Sequence, residues 1–227
     1  SPSTEGNQTN ELLNLLRIFE LESNIQLKNK KFLDAGSGSG HRIVNVAQHY
    51  KNCNFLGIDI SDTSLKISQT IKNKNNLKNI QFKKYNLMNP TFNLGKFDFI
   101  LSMGVLHHLS NPNKGLENIL KVLKKDGMIF VYLYGKLGGH KRILNKKLLS
   151  LLLNKKKSDY DLGIKLVRDL DMNKFEYGWN LNFKNKEEED SLIVDSLLHA
   201  NEKLYDFNDI HKLFKNSDLF GYSIFGI

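Results

Sequence analysis

The residues with the most chemical potential lie in Asp34-Ala35-Gly36-Ser37-Gly38-Ser39-Gly40, where three glycines alternate with small residues and an acid stands two places ahead of the first. Without a Cβ, glycine lets the backbone take positive φ and lets a ligand come to van der Waals contact, while the free N–H groups of a following helix point at it. Phe32-Leu33 reads as the end of a buried strand and the residues from Arg42 as a helix, so the turn between them is a ligand site. A dinucleotide loop needs Gly-x-Gly-x-x-Gly, the last glycine for close helix–strand packing against a pyrophosphate-binding helix end. His41 holds that place here. The carboxylate of Asp34 suits a ligand carrying positive charge. Further on, the apolar run Phe55-Leu56-Gly57-Ile58 ends in Asp59, whose carboxylate can accept both hydroxyls of a ribose.

A third stretch, Leu101-Ser102-Met103-Gly104-Val105-Leu106-His107-His108-Leu109, follows Asp34–Gly40 and Gly57-Ile58-Asp59-Ile60-Ser61 in that order. Together they resemble class I S-adenosylmethionine-dependent methyltransferases, from roughly Lys31 to Gly135. The resemblance implies S-adenosylmethionine as cofactor. Asp34 would orient the methionyl amine, Gly36, Ser37, Gly38 and Gly40 would admit the methionine chain, and Asp59 with Ile60 would take the ribose. Asn86 and Leu87 would frame adenine, and Ser102, Met103 and Gly104 would face the sulfonium end. The family commonly has an acid where this chain has Asn86, whose side-chain oxygen can still accept from the adenine amine. His107 and His108 allow two readings. An imidazole titrates near neutrality and could deprotonate a nucleophile, or the pair could hold the loop in shape. Tyr134, at the end of a later strand, is a third catalytic candidate. A dedicated base is optional, because orientation alone can supply roughly 7–11 kcal/mol of the barrier. No metal cluster is expected.

These residues need a sheet to present them. The strand opening at Phe32-Leu33 and the runs Asn54 to Ile60, Ile80 to Tyr85, Phe97 to Ser102 and Met128 to Tyr134 alternate with helical periodicity, which makes right-handed βαβ units and a parallel sheet. Ligands in such sheets bind at the carboxyl ends of the strands, where Asp34 and Asp59 fall. The expected fold is α/β, a doubly wound, mostly parallel sheet of the Rossmann-like methyltransferase kind, with a largely helical insertion after the fifth strand. Residues 1–30 are expected to form a tail and helix, 31–135 the cofactor-binding core, 136–203 a helical lid, and 204–227 a returning helix and sixth strand. The N-terminal helix is expected over Glu11 to Leu27. Further helices are expected from Arg42 to about His49 and from Ser61-capped Asp62 to Lys74, with Leu65, Ile67 and Ile71 inward, and from Asn113 to Leu123. The chain shows no seventh strand, so it either continues past Ile227 or completes its sheet edge differently.

In the insertion, Lys141 to Leu153 and Asp161 to Leu170 read as helices, and Glu187-Glu188-Glu189-Asp190 as the start of another. Phe175-Glu176-Tyr177-Gly178-Trp179 could line a pocket or pack the lid. Lys155-Lys156-Lys157 could meet a polyanion or be a solvated helix end. Val194 to Ala200, followed by Leu204 to Ile210, is similar to an uncharacterised bacterial branch of the family; Asp195 and His199 there are either an acid–base pair or a structural hydrogen bond. The helix from Asp209 to Lys215 and a strand from Leu219 to Ile227 would close the fold.

The 227 residues are 40% apolar, enough for one α/β core. A formal net charge of +9 invites a nucleic-acid partner. The excess is nearly all lysine, spread through an asparagine- and isoleucine-rich chain, as an AT-rich genome would produce, so a small-molecule acceptor is favoured over nucleic acid. Single Cys53 reads as a core residue. No apolar run reaches the ~20 residues of a membrane helix, and a cytoplasmic enzyme is expected. The acceptor and the oligomeric state are not written in the sequence. Two other functions compete: a dinucleotide-dependent oxidoreductase, disfavoured by His41, and a non-catalytic cofactor-binding module engaging RNA or protein through the basic lid.

Overall fold

A computed structural model describes residues 12–21, 26–89, 93–136, 140–153, 159–172, 186–198, 202–215, 217, 219 and 221. Five parallel strands form one sheet: β1 (Lys31–Ala35), β2 (Asn54–Asp59), β3 (Ile80–Lys84), β4 (Phe97–Met103) and β5 (Leu123–Tyr132), in the order β3-β2-β1-β4-β5. The chain winds outward from β1 in one direction and then returns to lay β4 on its other side. The carboxyl ends of β1 and β4 therefore flank the point where the winding reverses, which opens a crevice for a ligand.

The central strands β1, β2 and β4 are covered on both faces and read as near-continuous apolar runs, whereas edge strand β3 exposes Gln81, Lys83 and Lys84. On one face lie α1 (residues 12–21) and α2 (His41–His49), with part of α3 (Asp62–Lys74). Their side chains Leu12, Leu16, Ile43 and Val46 bury Phe32, Phe55 and Phe99. Phe32 stacks between the other two rings, with centroids 4.8 and 4.9 Å away. The opposite face packs Leu33, Ile58 and Ile100 against Leu116 and Ile119 of α4 (Pro112–Leu120). Asn111 caps α4 by accepting from Lys114 N–H, and Pro112 at the first turn loses no hydrogen bond.

Several boundaries differ from the sequence expectation. The first helix stops by 21 within the described residues, and residues 26–30 are not helical. Leu12, Leu13 and Leu16 are buried while Ile18 and Leu21 face solvent. On α3 the inward residue is Ser68, wholly buried, and Ile67 is 44% exposed. Ser68 packs directly on the glycine loop: a Cβ at position 40 would lie 2.5 Å from Ser68 Cβ, so this approach requires glycine there. Between Phe97↔Leu123 and Phe99↔Met128 the β4–β5 register slips, so Lys124–Gly127, between the expected helix and strand, belongs to β5 as an enlarged bulge. The strand ends at Tyr132, two residues short of Tyr134.

The insertion contributes α5 (His140–Leu152), α6 (Asp159–Asp169) and α7 (Lys186–Ile193), continued by a π-helical turn over Val194–Leu198. These elements share a core of Leu149, Val167, Met172, Ile193 and Leu197. The chain returns through a parallel bridge between Gly135 and Tyr205. It then enters α8 (Phe207–Phe214), where Asp206 and Asp209 form a reciprocal capping box. The aromatic stretch at 175–179, the lysine run at 155–157, His199 with the Asp195 side chain, and the sixth strand (apart from Leu219 and Gly221) lie outside the described residues. Among the described residues no helix is long and apolar enough to cross a membrane.

Candidate functional site

Asp34 ends inside the protein. It is 1% exposed, and neither carboxylate oxygen has a hydrogen-bond partner among the described residues. Burial pushes its pKa from 3.8 to about 6; the Arg42 cation opposes the rise and the Asp59 charge adds to it. An unpaired buried carboxylate costs free energy, so this geometry suits a cationic group arriving from outside.

The loop beside it is held open by backbone bonds. Gly36 and Ser37 N–H both donate to Ile58 O at 2.9 Å, tying the turn to β2. Gly36, Gly38 and Gly40 have φ of 94°, 53° and 78°. At Gly36 a Cβ would sit 2.3 Å from Val105 Cγ2, so the requirement for glycine is both conformational and steric. Asp59 joins two loops: its Oδ2 accepts from Gly38 N–H and its Oδ1 from Ser61 N–H, both at 2.8 Å. Each oxygen keeps a second lone pair and can still accept a hydroxyl. Ile60 beside it is exposed.

Asn86 Oδ1 accepts from Met88 N–H, which shapes the loop after β3 from within. Leu87 is buried, and its carbonyl accepts from Asn118 Nδ2 at 2.9 Å. The hydroxyls of Ser37 and Ser102 are buried without partners among the described residues. At the end of β4, Met103 O accepts a long 3.4 Å bond from Arg42, and Gly104 just beyond, at φ 74°, donates to Tyr132 O.

That last bond brings the β4 loop beside the exit of β5. His107 is buried, its ring centroid 4.0 Å from that of Tyr134 and 4.1 Å from that of His108. The three catalytic candidates thus form one aromatic cluster. Its backbone is pinned by the returning chain, because Lys203 N–H donates to His107 O and Tyr205 N–H to Tyr134 O.

A family model described as a methyltransferase domain matches residues 26–191. The chain belongs to that family, the class I S-adenosylmethionine-dependent methyltransferases. This methyltransferase domain is 26% identical over 203 residues to an uncharacterized protein of Synechococcus sp., covering 86% of the chain and 48% of the relative. It is 28% identical over 119 residues to the ubiquinone biosynthesis O-methyltransferase of Coxiella burnetii, covering 52% of the chain and 50% of that enzyme. Among solved structures, PKMT2 from Rickettsia typhi in complex with AdoHcy superposes with a TM-score of 0.60 at 25% identity, over 85% of the chain and 39% of that protein. The chain spans about half the length, or less, of these relatives.

Four residues around the candidate site escaped the sequence reading. Arg42, in the first turn after the glycine loop, was legible as a cation near Asp34. Asn118 sits on a helix face that reads as ordinary core. Arg142 and Glu202 pair across sixty residues of sequence, and no local pattern announces that.

Proposed function

We propose that this domain binds S-adenosylmethionine at the carboxyl edge of β1 and β2 and transfers its methyl group to an acceptor at the His107–Tyr134 cluster. The observation that carries the reading is Asp34, a buried carboxylate without a partner among the described residues, beside a loop that three positive-φ glycines keep free of side chains. Both features fit a ligand with an ammonium group on a slender chain. Asp34 would hold that ammonium, Asp59 the ribose hydroxyls, and the Asn86–Leu87 turn, fixed by Asn118, the adenine edge. When bound, the cofactor supplies an activated methyl: the acceptor's lone pair forms the new bond as the C–S bond breaks and its electron pair returns to sulfur. His107 and Tyr134 shape the wall where the acceptor must lie, and His108, less buried, is the imidazole better placed to take the proton the acceptor releases. The likeness to an O-methyltransferase of Coxiella burnetii supports a small-molecule acceptor.

Calorimetric titration with S-adenosylhomocysteine and with NADH tests the reading. The sulfur nucleoside should bind and NADH should not. Asp59→Ala should weaken the nucleoside by roughly 10- to 100-fold, the range for losing hydrogen bonds to a charged group, and His107→Ala by much less. Binding of NADH alone, or unchanged affinity in Asp59→Ala, would overturn the assignment.

A further inference from the structure

Around Tyr134, the places that would receive a cation already hold one. Arg142 of α5 lies over the ring, its Cζ 4.4 Å from the centroid. Its Nη2 pairs with Glu202 Oε1 at 2.7 Å, and Lys146, one turn further along, reaches Glu202 Oε2 at 2.6 Å. Both oxygens of Glu202 are engaged and one face of the aromatic ring is covered. An acceptor that relied on positive charge would have to displace a resident cation.

The balance runs the other way. Two cations share one carboxylate, which leaves a formal charge of +1 on three side chains that are only 16%, 19% and 4% exposed for Arg142, Lys146 and Glu202. Arg142 Nε is buried and has no acceptor among the described residues. A guanidinium N–H shielded from water is costly until an oxygen meets it, and guanidinium recognises planar or tetrahedral oxyanions in particular. The other charged groups nearby do not cancel this excess. Lys203 lies over the Tyr205 ring, and Lys136 is shared by Asp206 and Asp209. Through Tyr134 the cluster touches His107, in the loop that follows β4, whose final residue Met103 meets Arg42 beside Asp34.

We propose that the methyl acceptor is a small anionic molecule, a carboxylate or phosphate, whose oxyanion docks on Arg142 Nε while its body lies along Tyr134 and His108. This rests on the methyl-transfer reading above, and the test separates the two. The purified chain is incubated with methyl-labelled S-adenosylmethionine and a metabolite extract depleted of protein and RNA, and the products are passed over an anion exchanger before and after phosphatase. Label retained on the exchanger is expected: retention that survives phosphatase identifies a carboxylate, and retention lost after it a phosphate. Arg142→Met should cut transfer at sub-saturating extract at least tenfold with S-adenosylhomocysteine affinity within twofold of wild type, and Arg142→Lys should restore part of the loss. A labelled product, resolved from residual S-adenosylmethionine, that flows through the exchanger, or transfer unaffected in Arg142→Met, overturns the anionic acceptor and leaves methyl transfer standing. Label only in separately supplied RNA or protein has the same consequence. Label nowhere, despite bound S-adenosylhomocysteine, overturns both.

Discussion

The cofactor edge and the helical insertion depart from ordinary burial in opposite directions. At the edge, polar groups are buried without partners: the Asp34 carboxylate and the hydroxyls of Ser37 and Ser102. In the insertion, apolar groups stay in solvent, with Leu144, Leu151, Leu152 and Leu162 each between 47% and 83% exposed. The edge rests on two large cores that sandwich the sheet, and the insertion on a single cluster of five buried residues. A well-supported scaffold can carry the cost of unpaired polar groups where a ligand will satisfy them. The insertion, with its small core, meets charges in ion pairs, Arg168 with Glu189 and Asp190 and Lys146 with Glu202, and Arg142 Nε is its exception. Substitutions at the edge should therefore trade binding against stability, and those in the insertion away from Arg142 should change stability alone.

Asp34→Asn should show the largest effect, with opposite signs on the two properties. Losing a charged partner for the ammonium should weaken S-adenosylhomocysteine by about 100-fold, near 2.7 kcal/mol. The unliganded protein should become more stable at pH 8, by about 1–2 kcal/mol, since a neutral amide is less costly to bury than a carboxylate. The pH dependence follows from the raised pKa. Between pH 3.8 and about 6 the folded chain holds a proton on Asp34 that the unfolded chain has released, so stability falls as pH rises through that window. The loss amounts to about 3 kcal/mol and is complete above it. Cofactor affinity should climb through the same window, because the carboxylate is the form that meets the ammonium. Denaturant melts and calorimetry from pH 5 to 8 check both slopes, which should flatten in Asp34→Asn.

Leu149→Ala should come next and move one property only. Leu149 is 1% exposed at the centre of the insertion core, and a buried Leu→Ala change costs about 2–4 kcal/mol. Denaturant unfolding should show that loss, while S-adenosylhomocysteine affinity at 15 °C stays within twofold. A matching collapse of affinity would mean that the insertion and the edge fold as one unit.

The same contrast explains what could be read from the chain. The parallel sheet was legible because its central strands are short apolar runs, and the site because its glycines and acids fall at fixed places after those runs. Asp34 and Asp59 sit where the strand pattern puts them. What depended on close approach was not legible. Ile67 was expected inward for its apolar type, yet Ser68, midway between Leu65 and Ile71 on the helix face, is the residue that packs on Gly40. Tyr134 meets His107 because β5 lies next to β4, and Glu202 meets Arg142 because the returning chain crosses the exit of β5. Such contacts belong to tertiary geometry, not to local periodicity. On α5, apolar residue type alone does not separate Leu149, which holds the core at 1% exposed, from Leu144 and Leu148, which are both more than 40% exposed.

Arg168→Ala should have the smallest effect. Arg168 donates to Glu189 Oε2 at 2.8 Å and also pairs with Asp190, joining α6 to α7. Both partners raise its pKa, led by the hydrogen bond to Glu189. The three side chains are between 26% and 31% exposed, however, so water and salt screen the pairs. Ion pairs of this kind contribute about 0–1 kcal/mol. The expected loss is under about 1 kcal/mol in low salt, shrinking further in 1 M NaCl, where the Debye length falls to about 3 Å, with cofactor affinity unchanged. A loss as large as that of Leu149→Ala would show that these charges, not the five buried side chains, hold the insertion together, and the contrast between the two regions would have to be drawn elsewhere.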